Sequence, residues 1–121
     1  MLVVDAANVI GSRPDGWWRD RPGAAGRFVD QVRAAVEAGR LDRPVTVVLE
    51  GRSRAGAAES DTAGLAVVHA PGEGDDAIAA LAGIGVTVVT ADRGLAELVR
   101  AAGGAVVGPR WLLDRLTASG G

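Results

Sequence analysis

The apolar run Leu2-Val3-Val4 goes straight into a carboxylate, Asp5, and a carboxamide follows at Asn8 before apolar residues return at Val9-Ile10. A short unbroken apolar run is the mark of a strand buried on both faces, as in the middle of a parallel sheet. In open α/β sheets the ligand crevice lies beyond the carboxyl ends of the strands. This first strand therefore delivers Asp5 to the edge where such folds do their chemistry, with Asn8 on the loop beside it.

The pattern recurs along the chain. Val45-Thr46-Val47-Val48-Leu49 runs into Glu50, and Leu65-Ala66-Val67-Val68 ends at His69. A turn over residues 70–74 then leads to Asp75-Asp76. Residues 86–90 form another apolar run, with Asp92 just beyond, and Ala105-Val106-Val107 forms the last. Between the strands lie helical patterns. Over residues 23–38, Ala25, Phe28, Val29, Val32 and Val36 share one face, opposite Arg27, Asp30, Arg33 and Glu37, and Gly39 stands where a helix stops. A short helix is expected over residues 75–82, burying Ile78, Leu81 and Ala82. Asp92 opens another, with Leu95, Leu98, Val99 and Ala102 as its apolar face. Pro109 suits the first turn of a last helix carrying Trp111, Leu112, Leu113 and Leu116, with Trp111 in the core. Residues 11–22 and 52–64, rich in Gly, Pro and small residues, read as loops.

Strands alternating with helices imply right-handed crossovers. The expected fold is a single-domain α/β/α three-layer structure around a mostly parallel five-stranded sheet. It occupies residues 1–118, and Ser119-Gly120-Gly121 forms a flexible tail. One core is what 121 residues support. The absence of cysteine excludes a disulfide scaffold, a zinc–thiolate site and a thiol nucleophile. All basic side chains are arginine, which excludes lysine Schiff bases and a P-loop lysine. A net charge of −2 gives no global field to attract nucleic acid. No signal segment or membrane-length apolar run is present, so a soluble cytoplasmic protein is expected.

In a parallel sheet, strand ends and the starts of the following helices share one edge. Asp5, Glu50, Asp75, Asp76 and Asp92 should converge there, with the Asn8 amide among them. Two unit charges about 4 Å apart repel by roughly 4 kcal/mol at an effective dielectric near 20. Several such pairs would exhaust a small domain's stability of about 5–15 kcal/mol, unless a cation sits among them or some are protonated. All-oxygen donors suit Mg²⁺ or Mn²⁺, which activate water for in-line attack on a phosphodiester. Taken singly, Asp75 and Asp92 read as helix caps, Glu50 as a strand end and His69 as a polar strand end. Asp5 has no such explanation, because the next helix is expected only from about residue 23.

The ordered motifs resemble a known family. Val3-Val4-Asp5-Ala6-Ala7-Asn8 resembles the opening Asp-x-x-Asn motif of NYN domains, within the PIN-like nuclease superfamily. Gly74-Asp75-Asp76-Ala77-Ile78 resembles their acidic pair at a helix start, and Val88-Val89-Thr90-Ala91-Asp92-Arg93 their strand followed by Thr/Ser-x-Asp. The small YacP-like group is the best fit, over essentially the whole chain. The resemblance implies a PIN-like Rossmannoid sheet and an Mg²⁺- or Mn²⁺-dependent ribonuclease, read here as an endoribonuclease. It implies that Asp5, Asp75, Asp76 and Asp92 bind metal, that Asn8 orients Asp5 or a water, and that the Thr90 hydroxyl supports the site; Glu50, from its place at the end of the second strand, is a further candidate for support. Some relatives carry a further acid one turn after the third motif; this chain has Ala96 there, with Glu97 one residue off. RNA is the expected partner. Trp17 and Trp18 either stack on its bases or serve packing, and Arg13, Arg19, Arg21, Arg52, Arg54 and Arg93 are candidates for phosphate contacts. A homodimer or a protein partner is left open.

Three other readings fail for want of the residues they need. A receiver domain needs a lysine. A haloacid-dehalogenase-type phosphatase needs a second aspartate where Ala7 stands, and a dinucleotide fold needs Gly-x-Gly-x-x-Gly after the first strand. The remaining rival is a PIN-like module that binds RNA or protein without cutting.

Overall fold

The computed structural model describes residues 1–117, so the tail at 119–121 lies outside the described residues. The elements are β1 (Leu2–Asp5), α1 (Ala6–Gly11), α2 (Arg21–Glu37), β2 (Val45–Leu49), β3 (Ser60–Thr62), β4 (Leu65–His69), α3 (Gly74–Leu81), β5 (Thr87–Val89), α4 (Arg93–Ala101), β6 (Ala105–Val107) and α5 (Pro109–Thr117). Single 3₁₀ segments cover Trp17–Arg19 and Gly51–Gly56. The sheet has six strands in the order β3-β4-β2-β1-β5-β6. Every pairing is parallel except β3 with β4.

β1 is central, and all four of its residues are buried. The chain runs outward from β1 to one side through β2 and β4, then returns to the other side through β5 and β6. The order therefore reverses beside β1, which makes its carboxyl end the switch point where such sheets form their crevice. Alternation along the strand sorts side chains between the two faces. Leu2 and Val4 join the core beneath α1, α2 and α5, whereas Val3 joins the smaller core beneath α3 and α4. Asp5 has the parity of Val3 and so belongs to the α3–α4 side.

Three expectations need correction. The sheet has a sixth strand, because Ser60–Thr62 folds back on β4 as a hairpin. Its two-residue turn, Ala63-Gly64, has positive φ at both positions (53° and 81°), the conformation that matches strand twist. Three polar residues carry no apolar alternation, so this strand was not visible in the sequence. The segment 11–22 is not wholly irregular. Helix α2 begins at Arg21, earlier than residue 23, because the Asp20 carboxylate accepts from the Gly23 amide at 3.0 Å. Finally, Leu98 is 57% exposed, and Leu95, Ala96 and Val99 form the buried face of α4 instead.

The amphipathic reading of α2 holds. Ala25, Phe28, Val29, Val32 and Val36 are all buried, and Gly39 stops the helix at φ +76°. The Gly51–Gly56 segment lies directly on this helix. A Cβ on Gly56 would stand 2.1 Å from the Pro22 carbonyl oxygen, and one on Gly26 would stand 2.9 Å from the Gly56 oxygen. Only glycine permits that approach, and it brings Arg52 and Ser53 up to the start of α2.

Candidate active site

Asp5 ends β1 and is 5% exposed. It also caps a helix, contrary to the expectation that no helix starts nearby. Helix α1 follows at once, and Asp5 Oδ1 accepts from the Asn8 amide at 3.4 Å. The other oxygen, Oδ2, accepts from the Thr90 hydroxyl at 2.9 Å. Thr90 is itself buried, and its Oγ1 accepts from the Asp92 amide at 3.1 Å. One hydroxyl thus joins the first and third motifs across the switch point.

Asn8 ties the same two segments by a separate route. Its side-chain oxygen accepts from the Ala91 amide at 2.8 Å. Asp92 caps α4, with Oδ1 accepting from the Leu95 amide at 2.9 Å. Asp75 does not cap α3, which begins one residue earlier; it lies with Asp76 in the first turn, where carboxylates oppose the helix dipole. The Gly74 amide instead donates to the Glu50 carboxylate, so the end of β2 fixes the start of α3. A Cβ on Gly74 would lie 3.2 Å from Glu50 Oε2, close enough to disturb that contact.

The electrostatics place these acids in one neighbourhood. Burial raises the Asp5 carboxyl to about 6, against an ordinary 3.8. The Thr90 hydroxyl and the Asn8 amide offset part of this, while the charges of Asp75 and Glu50 add to it. Asp75 is raised as well, first by burial and then by Asp92, Glu50, Glu73 and Asp76. No arginine lies within ion-pair distance of these carboxylates among the described residues, where Arg110–Asp114 is the one pair formed. The donor set is carboxylate and carboxamide oxygen, the chemistry of a hard cation. It is an open set, however: among the described residues no three acids already stand close enough together to hold an ion.

Beside the acids lies a cleft of about 430 Å³, bounded by Ala7 and Ile10 of α1, Trp17, Arg21, Glu50, Arg52 and Glu73. Trp17 is half-buried against the core and carries the Arg21 guanidinium 5.5 Å from its ring centre. Trp18 meets it edge-on at 5.9 Å, is 55% exposed, and has Arg19 over its own ring. Arg93 lines a second cleft with Thr90, Glu97 and Arg100. Two of the arginines expected at phosphates have partners inside the protein. Arg13 donates to Gln31 at 2.9 Å, and Arg54 donates to the Gly51 and Ala70 carbonyls. His69 is structural: its amide donates to Glu59 and its Nε2 lies 2.7 Å from the Ala57 carbonyl. Glu73 lies in the turn over residues 70–74, yet it borders the cleft and acts on Asp75. Its sole sequence signal is adjacency to the acidic pair.

A scan against family models and a search of curated proteins give no match to this chain. Among solved structures, the chain is similar to the crystal structure of Rae1 (YacP) from Bacillus subtilis, a point mutant. The TM-score is 0.69 at 20% sequence identity, covering 95% of this chain and 73% of that one. The likeness is one of architecture: the chain has a fold like that of Rae1 (YacP), the fold that the resemblance of its ordered motifs leads one to expect.

Proposed function

We propose that the protein is a divalent-metal-dependent nuclease that hydrolyses phosphodiester bonds of RNA at the carboxyl edge of its sheet. The observation that carries this reading is a buried aspartate at the switch point, raised to about 6, facing other carboxylates with no ion-paired arginine among the described residues. A cation placed there would relieve the repulsion among these carboxylates. The donor chemistry fits Mg²⁺ or Mn²⁺, with Asp5, Asp75, Asp76 and Asp92 as the residues that would hold it. When bound, such an ion supplies Lewis-acid stabilisation of phosphoryl oxygens and a more acidic water.

The chain's own residues have separable tasks. Thr90 fixes the rotamer of Asp5 and the first turn of α4 together. Asn8 keeps α1 against the turn after β5, and Glu50 sets the start of α3, so that Asp75 and Asp76 keep their position. The cleft walled by Trp17 and Arg52 would take the strand next to the scissile bond. Aromatic faces bind single-stranded bases without regard to sequence, and guanidiniums bind phosphates.

One observation favours a second reading, in which the domain binds RNA without cutting it. The carboxylates of Asp5, Glu50 and Asp92 are already engaged by amides or a hydroxyl, and no three acids among the described residues are yet gathered. The test is incubation of mixed RNA with purified protein plus Mn²⁺ or Mg²⁺, alongside Asp5→Asn and Asp92→Asn. Cleavage lost in both variants supports the nuclease. Cleavage persisting in both removes this site from the reaction, and no cleavage by any form moves the assignment to the binding module.

A further inference from the structure

At the opposite edge of the sheet, where the strands begin, a cleft of about 400 Å³ is lined by Arg40, Arg43, Arg115, Trp111, Thr87 and Asp42. We propose that this cleft is a second site, one that binds the phosphoryl group of a phosphate monoester or of a nucleic-acid strand.

Two of the three guanidiniums are held, and none is ion-paired among the described residues. Arg40 Nε donates to the Arg115 carbonyl at 2.9 Å, and Arg115 Nη1 donates to the Trp111 carbonyl at 3.0 Å. The Arg115 guanidinium also lies 3.8 Å from the Trp111 ring centre. The Arg43 stem lies over Gly64, where a Cβ would stand 2.5 Å from its Cδ. Each guanidinium has five N–H donors, so one such bond leaves most of them available. Asp42 shares the cleft, yet it forms no ion pair with any of the three among the described residues.

Arginines at this edge have a structural use, since α2 and α5 end here and helix carbonyl ends favour cations. That use explains the bond from Arg40, whereas Arg115 bonds the Trp111 carbonyl in the first turn of its own helix. It does not explain three guanidiniums in one cleft facing a single carboxylate, with Arg43 contributing no cap. Lost side-chain freedom is a large part of what an arginine sacrifices on binding. Guanidiniums already fixed against a ring and two carbonyls have sacrificed part of it in advance, which favours capture of a planar-forked or tetrahedral oxyanion. The Thr87 hydroxyl adds a neutral donor at the same rim. The site stands on its own whether or not the acidic edge cleaves RNA.

The test is titration of ¹⁵N-labelled protein, kept in a chelator so that no divalent ion contributes, with inorganic phosphate and separately with a short single-stranded RNA. Saturable shifts at the Trp111 indole N–H and at the Leu41 and Thr87 amides are expected. Arg43→Gln, an exposed substitution that leaves the carbonyl bonds intact, should weaken phosphate binding about tenfold. Arg115→Lys, which retains charge and loses the fork, should weaken it less than Arg115→Gln does. In the RNA arm, neutralising Arg40 and Arg43 together should flatten the salt dependence of affinity by about 1.4 in log–log slope if the strand is the source. An unchanged slope with phosphate binding intact identifies a free phosphate monoester as the ligand. Shifts that are absent, non-saturating, or unaffected by Arg43→Gln in a protein with an undisturbed spectrum overturn the site.

Discussion

The two edges of the sheet are built from the same strands and carry opposite chemistry. At the carboxyl edge, Asp5, Glu50, Asp75 and Asp92 share one neighbourhood with no ion-paired arginine among the described residues. At the amino edge, Arg40, Arg43 and Arg115 line one cleft with a carboxylate that pairs with none of them among the described residues. A net charge of −2 conceals this separation. Topology produces it: the carboxyl edge collects helix starts, which accept acids, and the amino edge collects helix ends, which accept bases. The edges differ in how their side chains are fixed. The acids are tied mostly to amides and a hydroxyl of other elements, whereas Arg40 and Arg115 are tied to two carbonyls of α5 and a ring. The lesson is that a small parallel sheet can keep an acidic site and a basic site apart by the length of its strands alone.

The sharpest way to break the contrast is at Asp5. Asp5→Asn should lower RNA cleavage by more than about 10²-fold, beyond the 10–100-fold that residues supporting a metal site usually contribute. Thr90→Val, which removes the bridge to Asp92, should fall within that supporting range in a cleavage-rate assay. Changes at Arg43 should leave cleavage of a dinucleotide unaltered.

A stability measurement separates the edges without any assay of activity. Asp5 ionises near 6 in the folded protein and near 3.8 when unfolded. The raised value means that the protonated form is favoured by folding. Its contribution is complete below about pH 4 and lost as the pH rises through 6. That difference corresponds to about 3 kcal/mol, an upper limit once relaxation and water entry are allowed for. Without divalent ions, Asp5→Asn should therefore be more stable than the parent at pH 7.5, by up to that amount in urea melts, and no more stable at pH 4. Mn²⁺ should raise the parent's melting temperature and leave the variant's unchanged. Equal stability of the two at pH 7.5 would mean that the charge on Asp5 is already compensated.

A smaller effect probes the wall of the acidic cleft. Gly56→Ala places a methyl group against the Pro22 carbonyl and should destabilise the fold by about 1–3 kcal/mol in thermal melts. It should also displace Arg52, so RNA affinity should fall with it while the amino-edge phosphate site is unaffected. The smallest stability change belongs to Trp18, more than half exposed. Trp18→Ala should alter stability by less than about 0.5 kcal/mol. Any loss of RNA binding in that variant, read by anisotropy, then reports direct contact.

Much of this molecule is written in period and punctuation. The apolar runs at residues 2–4, 45–49 and 105–107 are strands, the face of α2 is buried as spaced, and Pro109 opens α5. What escaped were elements too short to show a period. Helix α1 is six residues, and Ala6-Ala7-Asn8-Val9-Ile10 reads equally as an extended continuation of β1. That concealed the capping role of Asp5. Strand β3 is three polar residues recognisable only through the turn that pairs it. The acids of the site were legible because their types and positions follow from strand ends. Their partners were not: Asn8 with Ala91 and Thr90 with Asp5 join residues more than eighty apart, and no local pattern encodes such a bond.

The brief outer strand has a consequence for the molecule in company. Unpaired sheet borders are templates on which a neighbouring chain can add itself. Here one border is closed by three residues, Ser60, Asp61 and Thr62, with a negative side chain in the middle of the row and a sharp bend at its end. So short and charged a fringe offers a newcomer few amide and carbonyl groups to grip, and repels a second copy of itself. The far flank, β6, is as short but wholly apolar, so crowding should find its first foothold there, and a charge introduced at the exposed Ala105 should delay it.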